Sequence, residues 1–544
     1  MTTRVPHRRR GGPRRAHTGL LAAGLALATA CTTVGPDYVP PEVPEPEQFR
    51  GAENTEVSFA DRSWDEIFRD PVLQELIRTA LAENYDVRVA AERVLQARAQ
   101  LTIVDARNYP QLDASAQQTW LQASKNTAFP PPAGISRDQR QTTIGLSLSW
   151  QLDFWGQFDR ATEAARAQLF SSEYARVFII QTLVSDIAAA YYELLQLDAQ
   201  LAISHESVDS RVESTRLVQL RLDQGVSNKV ELRQSENLVY TAQALVPDLE
   251  QRIEQQENFI KILVGGLPGP VPRGEMDLES DREIDVPVGL PSQLLQRRPD
   301  VLQAEQRLVA ANARIGVARA LLYPNITLTA FGGGASEDLD KLFESGSTLW
   351  DVTPSILMPI FNAGRLQANV EFTESQQRQI ALQYQQTLQE AFRDVADALI
   401  AYEKTRELRL VRTQVRDTLD DQLRLSRERY RGGVTSYLEV LDTERDHFDA
   451  ELSLAEAIRD ELLSTVALYR ALGGGWQGAL QLAANGPQPV PNLDGTMPDH
   501  SALQNDGDEG ETTEGAAMPT AAEDAGPPPP EGAEPAAGEE STSP

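Results

Sequence analysis

The chain has 544 residues, with 50 Lys and Arg against 80 Asp and Glu and a formal net charge of −30. That balance excludes a nucleic-acid partner, because nothing offsets phosphate repulsion. One cysteine and five histidines leave no clustered metal ligands and few nucleophile–base pairings, so the composition points away from a cofactor and from enzymatic chemistry.

Residues 1–30 hold six arginines and no acid, and residues 19–30 read GLLAAGLALATA. A basic stretch followed by about a dozen small apolar residues has the charge and length of a secretory signal peptide. It is too short to cross a bilayer as a helix, which takes ~20 residues. PRRAHTGL lacks the apolar residues that follow the arginine pair of a twin-arginine signal, so the general secretory route is expected. Leu27-Ala28-Thr29-Ala30 precede Cys31. This resembles the lipobox of bacterial lipoproteins, with Ala28 where an aliphatic residue is usual. The resemblance implies that Cys31 becomes an acylated N-terminus, and Thr32 in place of Asp implies transfer to an outer membrane. Each buried CH₂ of an acyl chain contributes ~0.8 kcal/mol, so several chains anchor firmly.

The chain matches itself. Asp86, Val87, Ala90, Arg93 and Tyr109-Pro110 recur 214 residues later as Asp300, Val301, Ala304, Arg307 and Tyr323-Pro324. Further on the offset is 208: Gly156 with Gly364, Gly225-Val226 with Gly433-Val434, Glu231 with Glu439, Gly265-Gly266 with Gly473-Gly474. Two copies of one unit therefore make up the body, and the second has a connection six residues shorter between 331 and 358.

The expected organisation follows from this repeat. A signal peptide (1–30) precedes an extended, lipid-anchored segment (31–61). The first unit (62–267) has strands near 111–120 and 142–154 and long helices over 156–264. A linker (268–284) leads to the second unit (285–475), with strands near 325–332 and 349–361 and helices over 364–472. After Arg470 come thirteen acids and no Lys or Arg, and residues 485–544 contain eleven prolines. The tail from 476 to 544 is therefore expected to be disordered.

From 144 to 154 the even positions read Ile, Leu, Leu, Trp, Leu, Phe and the odd ones are mostly small or polar. Strict alternation means one apolar and one polar face, and eleven residues is the length of a tilted membrane-crossing strand. Val352, Pro354, Ile356, Met358 and Ile360 give the same pattern in the second copy. Val177, Ile180, Val184, Ile187, Tyr191 and Leu194 step by heptad spacing, as do Leu388, Phe392, Val395, Leu399 and Tyr402. The helical pattern over 158–222 has no proline and predicts roughly 100 Å of helix. Four membrane strands cannot close a barrel alone, and open edges in hydrocarbon cost several kcal/mol per unpaired group. Several chains must share one barrel.

These residues resemble the outer-membrane efflux factors, the TolC-like family, in its lipoprotein branch. VGPDYVPP at 34–41 looks like that branch's opening segment; Trp64, Phe68, Asp70-Pro71, Leu73, Asn84 and Asp86 look like its first helix. Residues 289–324, GLPSQLLQRRPDVLQAEQRLVAANARIGVARALLYP, are the most specific stretch. The resemblance covers about 34–475. It implies a homotrimer, a shared 12-stranded β-barrel over an α-helical tunnel reaching into the periplasm, and a passive exit duct. Its implied partners are outer-membrane lipid, a periplasmic adaptor (membrane fusion protein) and an inner-membrane RND-type pump.

It also implies roles for the two Gly-Val breaks. Gln224, Gly225 and Val226, with Gly432, Gly433 and Val434, would lie at the periplasmic tips where the tunnel closes and the adaptor docks. Glu439 and Asp442, three residues apart, would face the axis as an acidic gate, and three copies would favour cations. Two other readings stay open at this point: an exit for type I protein secretion and a non-conducting structural lipoprotein. Trp120, Trp150, Trp155 and Trp350, at or near strand ends, fit an interfacial girdle or core packing equally well. His205 and His447 stand alone in the sequence, and Arg297-Arg298 reads as the cap of a turn.

Overall fold

The computed structural model describes residues 33–476, apart from short stretches within 43–56, 129–135 and 275–290. Cys31 and the acidic tail lie outside the described residues. The first copy opens with α1 (Trp64–Ile67), α2 (Pro71–Glu83) and α3 (Tyr85–Asp105). Asp70 accepts from the Val72 amide at 2.8 Å, and Asn84 from the Asp86 amide at 2.8 Å, so short polar side chains start α2 and α3. Then come β1 (Gln111–Gln122), β2 (Asp138–Leu152), α4 (Gln157–Asp223) and α5 (Lys229–Leu263). The second copy contributes α6 (Pro291–Arg297), α7 (Pro299–Ala320), β3 (Asn325–Ser336), β4 (Thr348–Leu357), α8 (Arg365–Arg431) and α9 (Tyr437–Ala471).

The helices repeat to the residue. Both α4 and α8 have 67 residues, and both α5 and α9 have 35. At 1.5 Å per residue, each long helix runs about 100 Å from the sheet to its far turn. One 18-residue window of α4 is apolar enough to cross a membrane, yet 61% of that window is buried inside the protein. Its apolar side is the heptad seam: Ile180, Val184, Ile187, Tyr191 and Leu194 are buried in one core with Phe59, Phe68, Leu388 and Tyr469. The Tyr191 hydroxyl donates to Asp70 Oδ2 at 2.6 Å and that of Tyr469 to the Arg62 carbonyl at 2.6 Å. Burial raises both phenols above their ordinary range, so each remains a donor.

The strands form one antiparallel sheet in the order β1-β2-β3-β4. The register places Ala114 beside Leu146, Leu148 beside Ala330, and Ala330 beside Val352. One face is thus apolar across all four strands, and the other carries Asp113, Ser147, Thr329 and Thr353. Leu112, Leu146, Trp350 and Ile356 on the apolar face are more than half exposed, and β1 is exposed along its whole length. Among the described residues, β1 and β4 each have one unpaired edge.

Strand ends differ from the sequence expectation for local reasons. β2 stops at Leu152 because Asp153 turns to cap α4, accepting from the Gln157, Phe158 and Asp159 amides at 2.6, 2.7 and 3.0 Å. β4 stops at Leu357, opposite Asn325, the first residue of β3, so Met358 to Phe361 have no partner strand. β3 runs on to Ser336 through Gly332, Gly333 and Gly334, which erase the alternation while keeping the pairing with 142–146.

An extended strap begins at Thr33. The Val34 amide donates to the Trp155 carbonyl at 3.0 Å, and Asn312 Nδ2 to the Pro36 carbonyl at 2.9 Å. Asp37 pairs with buried Arg160 at 2.6 Å, and Tyr38 donates to Glu305 at 3.3 Å. Gly35 (φ +122) lies on Gly316 so closely that a Cβ there would be 2.5 Å from the Gly316 Cα. The strap thus bridges α4 of the first copy and α7 of the second, where helices meet sheet.

Candidate gate at the helix tips

The two Gly-Val segments close equivalent turns. At the end of α4 the Gly225 amide donates to the Leu222 carbonyl at 2.9 Å and the Val226 amide to that of Arg221 at 2.8 Å. At the end of α8, Gly433 donates to Tyr430 and Val434 to Arg429, both at 3.0 Å. This double bonding satisfies the last carbonyls and needs a left-handed residue at the turn, which Gly225 (φ 78) and Gly433 (φ 72) supply. Gln224 and Gly432 end their helices in right-handed geometry, and Val226 and Val434 stand out into solvent. Asn228 opens α5 by accepting from the Val230 and Glu231 amides at 2.9 and 3.1 Å.

The two turns belong to one assembly. Val218 and Leu232 of the first hairpin pack with Tyr437, Val440 and Leu441 of the second. The Arg221 guanidinium lies 4.4 Å from the Tyr430 ring centroid, and Tyr430 is 5.0 Å from the Tyr437 ring. Deeper in, Glu444 is buried and accepts from Arg427 at 2.9 Å and from Ser214 at 3.1 Å, joining α4, α8 and α9. Arg211, also buried, donates to the Leu238 carbonyl at 2.9 Å and stacks 4.7 Å from the Phe448 ring. Burial lowers its proton affinity below the usual arginine range. Burial pushes the Tyr437 hydroxyl up to about 12, keeping it protonated beside Ser235 at 3.2 Å.

Glu439 and Asp442 sit differently. Glu439 is half-buried, accepts from the Thr435 hydroxyl and pairs with Arg429 at 3.3 Å. Its repeat partner Glu231 does the same, accepting from Ser227 at 2.6 Å. A carboxylate that takes the hydroxyl four residues earlier in both copies is part of how α5 and α9 begin. Asp442 follows buried Leu441, projects into solvent, and meets only the exposed Arg445 at 3.6 Å among the described ion pairs. The first copy has Gln234 at the equivalent position, so this exposed carboxylate is confined to the second hairpin. Glu444, Arg427 and Arg211 were not singled out from the sequence. The available signal was an acid on the apolar stripe Tyr437, Val440, Leu441, Glu444, Phe448.

At the opposite end, Trp150 donates to the Asn108 carbonyl at 3.1 Å and Trp155 to that of Pro324 at 2.8 Å, whereas Trp120 and Trp350 stand exposed on the sheet.

A sheet with an exposed apolar face, joined to two helices of about 100 Å whose hairpins end in two packed turns, is the architecture of an outer-membrane channel with a long helical extension. The sequence profile of the outer membrane efflux protein family matches residues 76–266 and 290–474, and the chain belongs to that family. It is 36% identical over 463 residues to the cation efflux system protein CusC of Escherichia coli, covering 84% of this chain and 99% of that protein. Identity to the probable outer membrane lipoprotein SilC of Salmonella typhimurium is 34% over 457 residues, or 83% and 97% of the two chains. The toluene efflux pump outer membrane protein TtgC of Pseudomonas putida is 35% identical over 463 residues, or 84% and 95%. A solved structure of CusC superposes with a TM-score of 0.74 at 34% identity, covering 82% of this chain and all of that one. The outer-membrane channel OprN superposes with a TM-score of 0.77 at 28% identity, with the same coverage.

Proposed function

We propose that this protein is the exit duct of a tripartite efflux system, a homotrimer whose three four-stranded sheets close one 12-stranded barrel. The observation that carries this reading is the sheet itself: among the described residues its apolar face is bare and both edges are unpaired. In hydrocarbon such edges are tolerated only when paired, so β4 of one copy would meet β1 of the next. Cys31, two residues before the strap begins at Thr33, would carry the acyl chains in the outer membrane, leaving the helices in the periplasm.

The duct does no chemistry; a periplasmic adaptor and an inner-membrane RND-type pump would supply cargo and energy. Gln224, Gly225, Val226, Gly432, Gly433 and Val434 form the exposed tips that an adaptor would engage. Asp442 is the residue best placed to form an acidic ring, with Glu439 holding the start of its helix. Opening would shift the packing of the two hairpins, a population change biased by adaptor contact.

Single-channel recording of the purified protein in a planar bilayer tests this. Small, cation-selective currents are expected. They should grow in Asp442→Ala combined with Glu439→Ala, with most of the loss of cation selectivity coming from Asp442→Ala alone. A folded oligomer that conducts in neither form would overturn the duct reading in favour of a structural lipoprotein.

A further inference from the structure

Beyond the tip, three helices bring together a group of titratable side chains that neither the turns nor the acidic ring uses. On α9, His447 and Glu451 are one turn apart, with the imidazole Nδ1 3.4 Å from Glu451 Oε2. The Nε2 faces Asp420 Oδ1 of α8 at 3.6 Å. Glu206 of α4 acts on both His447 and Glu451, and Arg416 and Arg427 approach from α8. Both arginines have nearer partners: Arg416 pairs with Asp417 at 2.7 Å and Arg427 with Glu444 at 2.9 Å. The His447 side chain is 15% exposed and that of Glu451 28%, so solvent screens this pair weakly, while Asp420, 72% exposed, and Glu206 act on it from the exposed rim.

We propose that Glu206, Asp420, His447 and Glu451 form a proton-operated joint that sets how tightly α9 packs on α4 and α8, about 15 Å of helix from the tip, so that opening responds to pH independently of Asp442. The proposal concerns regulation of the same tips and rests on the duct reading for its functional consequence. Its physical basis is a charge count. With Glu451 ionised, carboxylates from three helices converge on one imidazole, and their repulsion on the partly buried Glu451 favours separation. A proton on Glu451 removes one of those charges and makes it a donor.

The direction in pH follows. Burial, then Glu206, raises the Glu451 carboxyl from its ordinary value to about 7. A carboxyl raised in this way favours the described packing when protonated, and that contribution is lost as pH rises through about 7. Burial lowers His447, so its own protonation falls below the usual imidazole range and follows that of Glu451 on acidification. Between pH 6 and 8, Glu451 governs.

The test uses the full-length oligomer and two readouts over pH 6 to 8. One is hydrogen exchange of segment 440–455, corrected for intrinsic rates; the other is single-channel conductance. In the wild type both should rise severalfold with a midpoint near pH 7. Glu451→Gln should flatten both, and Glu206→Gln should move the midpoint to lower pH by removing a repelling charge. Asp442→Asn should leave the midpoint where it is. An exchange profile of Glu451→Gln that superimposes on the wild type overturns the joint. If no form conducts, the duct reading falls, and the exchange profiles still decide whether the joint exists.

Discussion

The buried pair between Arg427 and Glu444 offers a quantitative probe of how the two hairpins hold together. The Glu444 side chain is 4% exposed and that of Arg427 33%, and the asymmetry decides which single substitution costs more. Arg427→Met leaves the Glu444 carboxylate buried with the Ser214 hydroxyl at 3.1 Å as its remaining side-chain donor. Breaking a buried pair from one side costs about 3–5 kcal/mol, and because the charge of Arg211 remains beside Glu444 the cost here should sit at the low end, about 3 kcal/mol. Glu444→Leu leaves Arg427 near the Ser210 hydroxyl at 2.7 Å and partly in water, while Arg211 keeps the Leu238 carbonyl at 2.9 Å and the charge of Asp449, so its cost should be about 1–2 kcal/mol. With both changes the charge is gone, and the double variant should cost little more than Glu444→Leu, a coupling of about 2–3 kcal/mol. Native-state hydrogen exchange over 425–445 reads the local opening free energies directly, and channel conductance should rise in the order of the exchange effects. Single costs that are equal, or that add within about 0.5 kcal/mol, would refute the argument that this pair joins α4, α8 and α9.

Three further outcomes are expected. Gly316→Ala places a Cβ 2.7 Å from Arg160 Cγ and 2.8 Å from the Val34 carbonyl; it should release the strap and make residues 33–41 sensitive to limited proteolysis. Gly433→Ala meets no atom within 4 Å but keeps a φ of +72, so it should lose only about 1 kcal/mol in thermal unfolding, and Gly433→Asn less. Cys31→Ser should abolish labelling by radioactive palmitate with no background, because Cys31 is the sole cysteine.

What the sequence disclosed depended on how local the cause was. The helix read over 158–222 is observed as Gln157–Asp223, because its two ends are set by Gly156 and by the Gln224-Gly225-Val226 turn, signals lying within a few residues. The sheet was legible through the alternation from 144 to 152, but its ends were not: Gly332 to Gly334 pair without alternating, and Met358 and Ile360 alternate without a strand to pair with. Long-range polar contacts were the least visible. Arg298, read with Arg297 as the cap of a turn, instead precedes α7 with no side-chain cap bond, and its buried side chain reaches Asp394 at 3.1 Å and the Ala391 and Ala471 carbonyls, joining α7, α8 and α9. Glu439 was read with Asp442 as one acidic pair. Only the fold separates them, because the hydroxyl at Thr435 and the guanidinium of Arg429 converge on the first and not on the second.

The similarity to relatives also bears on where cargo could be discriminated. Identity is 36% to a cation efflux protein and 35% to a toluene efflux protein, over 463 residues in each case. Overall likeness therefore does not sort this chain by cargo. The polar sheet face offers Ser, Thr, Gln and Asp, with Phe331 between Ser147 and Asp351 as a large apolar exception, and this mixture is matched to no single cargo chemistry. A wall of this kind suits passage better than recognition. Charge at the tip would be the exception: in the trimer proposed above, one exposed Asp442 carboxylate per copy would act on every solute according to its sign. Reversal potentials under a salt gradient should therefore shift toward zero in Asp442→Asn and stay unchanged in Phe331→Ala; the opposite pattern would move the selective element from the helix tips to the barrel.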